Sequence, residues 1–400
     1  MPSNPIFSHY GGVNLIMELF ETENSIEETI TRLADARRTP IGGGVELLPL
    51  CNMNCRMCYV HHLPTALSRP ILTGEEWTAI LQKAKYAGVL FLLLTGGEPL
   101  LHPDFKKIYL TALRMGFVVT VNTNGTLIDE TLADFFAGHP CRRLNVTLYG
   151  ASAETYARLS GYPEGYEKAR KALGLLKERN VPCRINITIT RENRADQEAI
   201  VRIARGLDIP FVIANYMLPP ARAPENTAFR QSRMNPADAA ASRLEANFLM
   251  SPGEQPVAQA RLLLHRLREP RANILPKSGF ACRAARSGFW IDWEGNLTPC
   301  GMIDKPGGSL LQRDFMDVWK DVIAAVERTH PCEECVQCTK RFFCQTCAAA
   351  CLCESGSFSA RPQYLCDVTD EMVKQLIALL PEEEQQEYQD LIPAGKEIKS

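Results

Sequence analysis

The chain has 400 residues, 46% of them hydrophobic and 22% charged, with a formal net charge of −2. These values are typical of an ordinary globular protein, and the weak charge favours no nucleic-acid partner. The apolar run at 89–94 is too short to span a bilayer, so we expect no membrane partner. Residues 1–12 lack a secretion signal, which predicts a cytoplasmic protein. In that compartment the fifteen cysteines are expected to be metal ligands more often than disulfides.

Helical segments are the first predicted elements. Residues 14–36 are predicted to form a short helix, a turn and a second helix capped by Ser25, with a capping box to Glu28. This pattern resembles the tail of the winged-helix element that recognises leader peptides on peptide maturases. The alternative interpretation is a helical cap packed on the next domain.

Short apolar strands then alternate with amphipathic helices. Strands are predicted at 45–50, 89–96, 117–125, 143–150, 183–190 and 209–218. Helices are predicted at about 74–86, 103–115, 129–138 and 194–206, with further helical segments up to 179. This alternation predicts an α/β fold of parallel strands with right-handed crossovers, as an open sheet or a partial barrel. Reactive loops of such folds lie at the carboxyl ends of the strands. The residues at those ends are Cys51, Gly96, Gly97, Glu98, Asn122, Asn124 and Tyr149.

The composition changes after the sixth strand. Residues 219–276 contain a Pro- and Arg-rich loop and one or two helices, at about 237–249 and 256–268, and we place the domain boundary there. Residues 289–300 predict a hairpin with its turn at Glu294–Asn296. Ten cysteines lie between Cys282 and Cys366, whereas Cys141 and Cys183 stand alone and are interpreted as buried apolar residues.

Three thiols follow the first strand with the spacing C-x3-C-x2-C, at Cys51, Cys55 and Cys58. Structural zinc requires four ligands, so a zinc site would need His61 or His62 as well. A [4Fe–4S] cluster held by three thiolates instead leaves one iron open to a substrate or cofactor.

This spacing, followed by TGGEPLL at 95–101, resembles the radical S-adenosylmethionine (SAM) superfamily. The resemblance implies a partial (β/α)6 TIM-type barrel and a radical SAM enzyme. An electron from the cluster then cleaves SAM to methionine and a 5′-deoxyadenosyl radical, which abstracts hydrogen from the substrate. A flavodoxin or ferredoxin is the implied reductant.

The resemblance also implies residue roles. Cys51, Cys55 and Cys58 correspond to the catalytic cluster ligands. Gly96, Gly97, Glu98 and Pro99 correspond to the motif that holds the methionyl ammonium group. Asn122 and Asn124 correspond to a segment near the ribose and methionine, and Asn186 or Thr188 to residues that reach the ribose. The family often has an aromatic residue where this chain has Met57, so either Met57 or Tyr59 contacts the adenine.

The C-terminal cysteines resemble the SPASM extension, which usually holds two auxiliary [4Fe–4S] clusters on radical SAM enzymes that modify peptides. The resemblance implies one cluster on Cys335, Cys338, Cys344 and Cys366. It implies a second on Cys282, Cys300 and Cys347, whose fourth ligand is Cys332, Cys351, Cys353 or an open position. Here the pattern departs from the family, because Cys347 lies one residue early and position 348 is alanine. A pair of zinc ribbons is the alternative.

These inferences divide the chain into a helical segment (1–40), a radical SAM core (41–220), a linker with helices (221–277), a SPASM-like domain (278–367) and a C-terminal helix and tail (368–400). The first functional hypothesis is peptide or protein modification by thioether or carbon–carbon crosslinking or by epimerisation. A maturase of a larger protein and a small-molecule radical SAM enzyme are alternatives. A non-catalytic iron–sulfur or zinc scaffold is the remaining alternative.

Overall fold

A computed structural model describes residues 26–60, 67–220, 222, 228–251, 253–269, 278–344 and 346–392. Its residues fall into two compact units. The first comprises Ile26–Ser232 and Cys282–Arg328, and the second is built, among the described residues, from 233–281 and 329–392. The predicted helix within residues 14–22, the Ser25 cap, and His61 and His62 lie outside the described residues.

A nine-stranded sheet, counted over the described residues, organises the first unit, in the order β6-β5-β4-β3-β2-β1-β7-β8-β9. Strands β1 to β6 are mutually parallel, β7 is parallel to β1, and β8 and β9 are antiparallel additions. The strand bounds are β1 Gly42–Glu46, β2 Phe91–Thr95, β3 Val118–Thr123, β4 Arg143–Thr147, β5 Cys183–Thr188, β6 Phe211–Ala214, β7 Gly288–Ile291, β8 Asn296–Thr298 and β9 Gly308–Ser309. The sheet is open, and its parallel strands alternate with helices, which confirms the predicted α/β fold with an open sheet or partial barrel.

Helices connect the parallel strands of this unit. Their bounds are α1 Ile26–Arg37, α2 Gly74–Tyr86, α3 Phe105–Arg114, α4 Glu130–Gly138, α5 Ala153–Ser160, α6 Gly165–Glu178, α7 Gln197–Gly206, α8 Ala228–Ser232 and, after β9, α11 Phe315–Glu327. The α2 helix begins at a capping box formed by Thr73 and Glu76. The α5 helix ends at Gly161, whose left-handed φ of 66° suits glycine.

The two faces of the sheet differ in polarity. The strand register places Val121, Leu144 and Ile185 on one face, where all three are buried. The register places Asn122, Asn145 and Arg184 on the opposite face, together with Glu46 of β1. The apolar face forms the core beneath the helices, and the polar face is available for a site.

The first strand differs from its prediction. It was expected at 45–50, but the structure places β1 at Gly42–Glu46. A Cβ on Gly44 would lie 2.1 Å from the Trp290 ring, and a Cβ on Gly43 would lie 2.4 Å from the Phe289 ring. The β7 aromatic rings thus fill the space on both faces of β1 where side chains would lie, and this contact requires the glycines.

The second unit is helical over its described residues. Its helices are α9 Pro236–Met250, α10 Pro256–Arg268, α12 Glu333–Gln337, α13 Ala348–Ser355, α14 Gln363–Ala378 and α15 Glu382–Gln385. Helix α9 packs along α14, where Tyr364 Oη donates to the Met234 carbonyl at 2.9 Å. No helix of the described residues is long and apolar enough to cross a membrane.

Candidate functional site

The segment after β1 pairs with the glycine-rich loop after β2. Leu47 N donates to Thr95 O at 2.8 Å, Gly97 N to Leu48 O at 2.8 Å, and Glu98 N to Leu50 O at 2.9 Å. The strand ladder therefore continues past the ends of both strands and brings the loop that begins at Cys51 beside Glu98.

The glycines of this loop are sterically required. Gly96 has a φ of 149°, and a Cβ on it would lie 2.4 Å from Leu48 O. A Cβ on Gly97 would lie 2.2 Å from Leu50 O. Only glycine allows the two loop backbones to approach so closely.

Glu98 is completely buried at the centre of these loops. Its carboxylate accepts hydrogen bonds from Thr123 Oγ1 at 2.8 Å, Asn124 N at 2.7 Å and Leu100 N at 3.1 Å. Burial raises the pKa of Glu98 to about 7, although the three hydrogen bonds oppose that shift. A carboxylate has about four acceptor positions, so one remains for a further donor.

Asn124 connects this carboxylate to the thiol loop. Its Nδ2 donates to Asn52 Oδ1 at 2.9 Å and approaches Cys51 Sγ at 3.7 Å. Its Oδ1 accepts from Thr126 N at 3.0 Å, and Asn52 Nδ2 donates to Thr126 Oγ1 at 2.8 Å. The loops after β1, β2 and β3 therefore meet at one place, and Cys51, Glu98 and Asn124 all lie there.

The three thiols are close enough to affect one another. Burial raises the pKa of Cys51 to about 11, and the charges of Glu98 and Cys58 add to the shift. Burial raises the pKa of Cys55 as well, with contributions from Cys58 and Cys51, while a hydrogen bond with the Tyr149 side chain opposes the rise. Thiols in this state need a bound cation to become thiolates at neutral pH.

Tyr59 lies beside a buried ion pair. Burial raises the pKa of the Tyr59 phenol, and the Glu46 charge and the thiols of Cys58 and Cys300 contribute to the rise. The phenol is therefore close both to the three-thiol loop and to the turn after β8. Met57, the other residue predicted to contact the adenine, is half-buried.

The ion pair joins Glu46 of β1 to Arg222, which follows β6. Arg222 Nη1 and Nη2 lie 2.7 and 2.8 Å from the two Glu46 carboxylate oxygens, and Trp290 Nε1 donates to Oε1 at 2.7 Å. Arg222 Nη1 also donates to the Gly301 carbonyl at 2.8 Å. Four strands separate β6 from β1 in the sheet order, so the chain after β6 crosses the polar face to reach β1.

The remaining predicted residues lie on the same polar face. Asn122 Oδ1 accepts from Asn145 Nδ2 at 2.7 Å. Asn186 Oδ1 accepts from Arg184 Nε at 3.2 Å, and the Thr188 carbonyl accepts from Asn193 Nδ2 at 2.8 Å. Asn186 and Thr188 belong to β5, two strands from β3, which carries Asn122 and is followed by Asn124.

The second unit contains a cavity lined by cysteines. The cavity measures about 30 Å³, and its lining includes Cys332, Cys335, Cys347, Cys351, Arg341 and Thr346. Cys335 and Cys351 share a hydrogen bond that raises the pKa of the Cys335 thiol and lowers that of Cys351. Cys332, Cys335 and Cys351 form one buried cluster. Cys332 and Cys351 therefore lie beside Cys335. The sequence pattern did not indicate this grouping.

Cys338 and Cys344 of this unit lie near Cys366. Its thiol accepts from Arg361 Nε at 3.3 Å, and Cys335 and Cys338 raise the pKa of the Cys366 thiol in addition to burial. Burial raises the pKa of Cys344 to about 11, with a contribution from Cys366. Cys335 is thus near both groups of thiols. Cys282 and Cys300 belong to the first unit, and their assignment to a cluster with Cys347 stays a prediction.

Among the described residues, no three His, Cys, Asp or Glu side chains are grouped as ligands of one metal ion. A cubane cluster does not require such a group, because each thiolate binds a different iron. The thiol loop fits a [4Fe–4S] cluster by its donor set, which consists of three soft sulfur ligands. The free acceptor position of Glu98 and the close backbone of Gly96 and Gly97 fit an ammonium-bearing cofactor.

Several residues of this site were not predicted. Asn52, Thr123 and Thr126 link the three loops, and Glu46 and Arg222 form the ion pair. Asn52 and Thr123 are next to predicted site residues in the sequence, so their positions could have identified them as part of the site. Arg222 lies in a loop with no motif, and no local signal identifies it.

Residues 45–204 match the family model of the radical SAM superfamily. An AdoMet-dependent heme synthase of Methanosarcina barkeri is 23% identical over 80% of this chain and 94% of that protein. A PqqA peptide cyclase of Rhizobium meliloti is 28% identical over 45% of this chain and 49% of the cyclase, so the match spans about half of that protein. The structure of Streptococcus suis SuiB bound to precursor peptide SuiA superposes on this chain with a TM-score of 0.63, covering 85% of this chain and 80% of SuiB. Because the two sequences are 18% identical, this match shows a similar fold and no more.

Proposed function

The chain carries a radical SAM domain, and from this premise we propose that it is an enzyme that modifies a peptide or protein. The family uses a [4Fe–4S] cluster and SAM, and the bound pair supplies a carbon radical that abstracts hydrogen. The observation that supports this most directly is the meeting of Cys51, Glu98 and Asn124 at one place.

The residues of this chain have distinct roles in the proposal. Cys51, Cys55 and Cys58 hold the cluster. Glu98 and the backbone of Gly96–Pro99 orient the methionyl ammonium, because a carboxylate beside an ammonium forms a charge-assisted hydrogen bond. Asn122, Asn124, Asn186 and Thr188 hold the ribose and methionine, and Met57 or Tyr59 lies against the adenine. The half-buried polar face would limit the access of water and competing reactants.

Two relatives support a peptide as substrate. The PqqA peptide cyclase and SuiB, whose structure contains its precursor peptide, both have peptide substrates in their names. A small molecule is the second candidate, because the heme synthase aligns over a larger share of this chain. Thioether formation, carbon–carbon crosslinking and epimerisation are the proposed peptide reactions. A flavodoxin or ferredoxin as reductant and a cytoplasmic location also belong to the proposal.

Anaerobic reconstitution with iron and sulfide tests the chemistry. With dithionite and SAM, the protein should release 5′-deoxyadenosine. Cys55→Ala should abolish that product, whereas Cys183→Ala, a matched thiol removal on β5, should not. Product formation by Cys55→Ala would contradict the assigned site.

Substrate class is tested on the same material. Peptides encoded by short reading frames beside the gene, and a porphyrin, are incubated separately with the reduced enzyme and SAM. We expect a peptide to lose two hydrogen atoms on crosslinking, or to take up solvent deuterium on epimerisation. Conversion of the porphyrin alone would favour the small-molecule candidate.

We also propose that the C-terminal cysteines hold auxiliary clusters. In this proposal Cys332 and Cys351 are ligands of one cluster with Cys335 and Cys347, which replaces the predicted placement of Cys335 with Cys366 and of Cys347 with Cys282. Their common cavity supports this set. Three cubane clusters correspond to about 12 irons per chain. Cys351→Ala should lower that number by about four, and Cys183→Ala should leave it unchanged. An unchanged iron content in Cys351→Ala would remove Cys351 from the set.

A further inference from the structure

Two arginines lie side by side on the polar face of the sheet. Arg143 is the first residue of β4, and Arg184 is the second residue of β5. The register pairs Asn145 with Arg184, and Asn145 is two residues from Arg143 on the same strand. Side chains of paired residues in parallel strands lie on the same face, so the two guanidinium groups are diagonal neighbours.

Neutral amides hold both side chains in place. Arg143 Nε donates to Asn145 Oδ1 at 2.9 Å, and Arg184 Nε donates to Asn186 Oδ1 at 3.2 Å. Arg143 Nη2 is buried and has no hydrogen-bond partner. A buried donor left unpaired is costly, and it indicates that a partner is missing from this position.

The nearby carboxylate does not satisfy this need. Glu27 lies close to Arg143, but both of its oxygens bind Arg142, at 3.0 and 2.6 Å. Burial lowers the pKa of Arg184 to about 10, and the charge of Arg143 contributes to that shift. Two desolvated cations repel each other, and an anion bound between them would remove that repulsion.

We propose that Arg143 and Arg184 bind a carboxylate of the substrate, either an acidic side chain or a peptide C-terminus. This inference rests on the proposed function as a peptide-modifying enzyme. The planar guanidinium matches a carboxylate in two-point hydrogen bonding.

The position along the strand predicts where this carboxylate lies in the substrate. Arg184 precedes Thr188, the last residue of β5, by four residues, which corresponds to about 13 Å along a strand. The reactive loops lie at that carboxyl end. An extended peptide covers about 13 Å in about four residues, so the acidic group is expected about four positions from the modified residue.

Binding of small carboxylates tests the site without SAM cleavage. The probes are acetyl-glutamate amide, with a side-chain carboxylate, and acetyl-glutamine, with a terminal carboxylate. Acetyl-glutamine amide, with neither, is the neutral control. Saturation-transfer NMR on the reconstituted protein should detect at least one of the two acids and not the neutral amide, and the acid detected identifies the source of the carboxylate.

Variants identify the residues responsible. Arg143→Gln and Arg184→Gln should each weaken binding of the acid about tenfold, the loss of one charge-assisted hydrogen bond. Arg170→Gln, which removes an exposed arginine on α6, should leave binding unchanged. If thermal melting shows that Arg143→Gln is unfolded, Arg143→Lys is used, and it should bind the acid more weakly than the wild type.

Equal signals from the acids and the neutral amide would overturn the proposal, as would equal binding by the wild type and the two variants. Binding of inorganic phosphate but of neither acid would also overturn it. These outcomes do not depend on 5′-deoxyadenosine release. Failure of this site is therefore distinguishable from failure of the proposed function.

Discussion

Replacing Arg222 with methionine should leave a buried carboxylate without its cation. The side chain of Glu46 has no exposed surface, and that of Arg222 is 12% exposed. The guanidinium supplies two hydrogen bonds to Glu46, and Trp290 Nε1 supplies a third that the variant retains. Methionine keeps most of the apolar length of the arginine, so the substitution mainly removes charge and hydrogen bonds.

Two independent routes give the size of the effect. Removing one partner of a buried ion pair costs about 3–5 kcal/mol. Alternatively, the Glu46 carboxylate of the variant can take up a proton, and the free energy of that protonation then limits the loss of stability. Protonating a carboxyl group with an aqueous pKa of about 4.3 costs about 3.7 kcal/mol at pH 7 and about 1 kcal/mol at pH 5, at about 1.36 kcal/mol per pH unit. We therefore expect a loss of about 3–4 kcal/mol at pH 7 that shrinks toward about 1 kcal/mol at pH 5.

Thermal unfolding of the wild type and of Arg222→Met at pH 5 and pH 7 measures this effect. For a unit of this size, the loss at pH 7 corresponds to a Tm about 10 °C below the wild type. The double variant Glu46→Gln with Arg222→Met removes both charges of the ion pair and should recover much of the loss at pH 7. Equal destabilisation at both pH values, or a double variant no more stable than the single one, would refute the reasoning.

Two further predictions concern the loops around the thiols. In Gly97→Ala the new Cβ would lie 2.2 Å from the Leu50 carbonyl oxygen, so unfolding measurements should show a loss of about 2 kcal/mol or more. Gly174→Ala in α6 has nothing within 4 Å and should be neutral or stabilising. Because the pKa of Glu98 is raised to about 7, the contribution of this one carboxyl group to the stability of the cofactor-free chain should be full below about pH 4.5 and be lost as the pH rises through 7. Glu98→Gln should remove a decrease in the free energy of unfolding of up to about 3 kcal/mol between about pH 4.5 and about pH 7, and an unchanged pH dependence would contradict the assignment.

The strands were largely predictable from local sequence. β2 to β6 each lie within their predicted ranges. β2 and β6 are continuous apolar runs, whereas β3, β4 and β5 alternate apolar and polar residues, and both patterns are typical of strands. β1 was misplaced because Gly42–Gly44 carries no apolar signal. Its partners Phe289 and Trp290 are far away in sequence, and no local pattern indicates that their rings pack on glycine. Nor did the pattern predict that β7 joins the parallel sheet.

The site was predictable where one motif lies on one loop. The thiol spacing and the glycine-rich loop each identify their own residues. Arg222 lies in a loop without a motif, and Glu46 lies in the strand that was predicted at the wrong position. Neither residue of this ion pair could therefore be recognised from the sequence. The C-terminal thiols show a similar limit. Cysteine spacing relates neighbours along the chain, whereas the grouping of Cys335 with Cys351 depends on how α12 and α13 pack.

Backbone contacts, more than ion pairs, determine how the three loops meet. The amides of Gly97 and Glu98 bond the carbonyls of Leu48 and Leu50, so the thiol loop and the glycine-rich loop form one continuous ladder. The Asn124 amide then bonds Glu98 in the interior of that ladder. Because donor and acceptor of the two ladder bonds are both main-chain groups, most side-chain changes in the loops leave those two bonds intact, whereas any Cβ on Gly97 must separate the two backbones. The thiol loop and the glycine-rich loop are therefore held together by their own backbones, and such preorganisation is what catalysis by the proposed site requires.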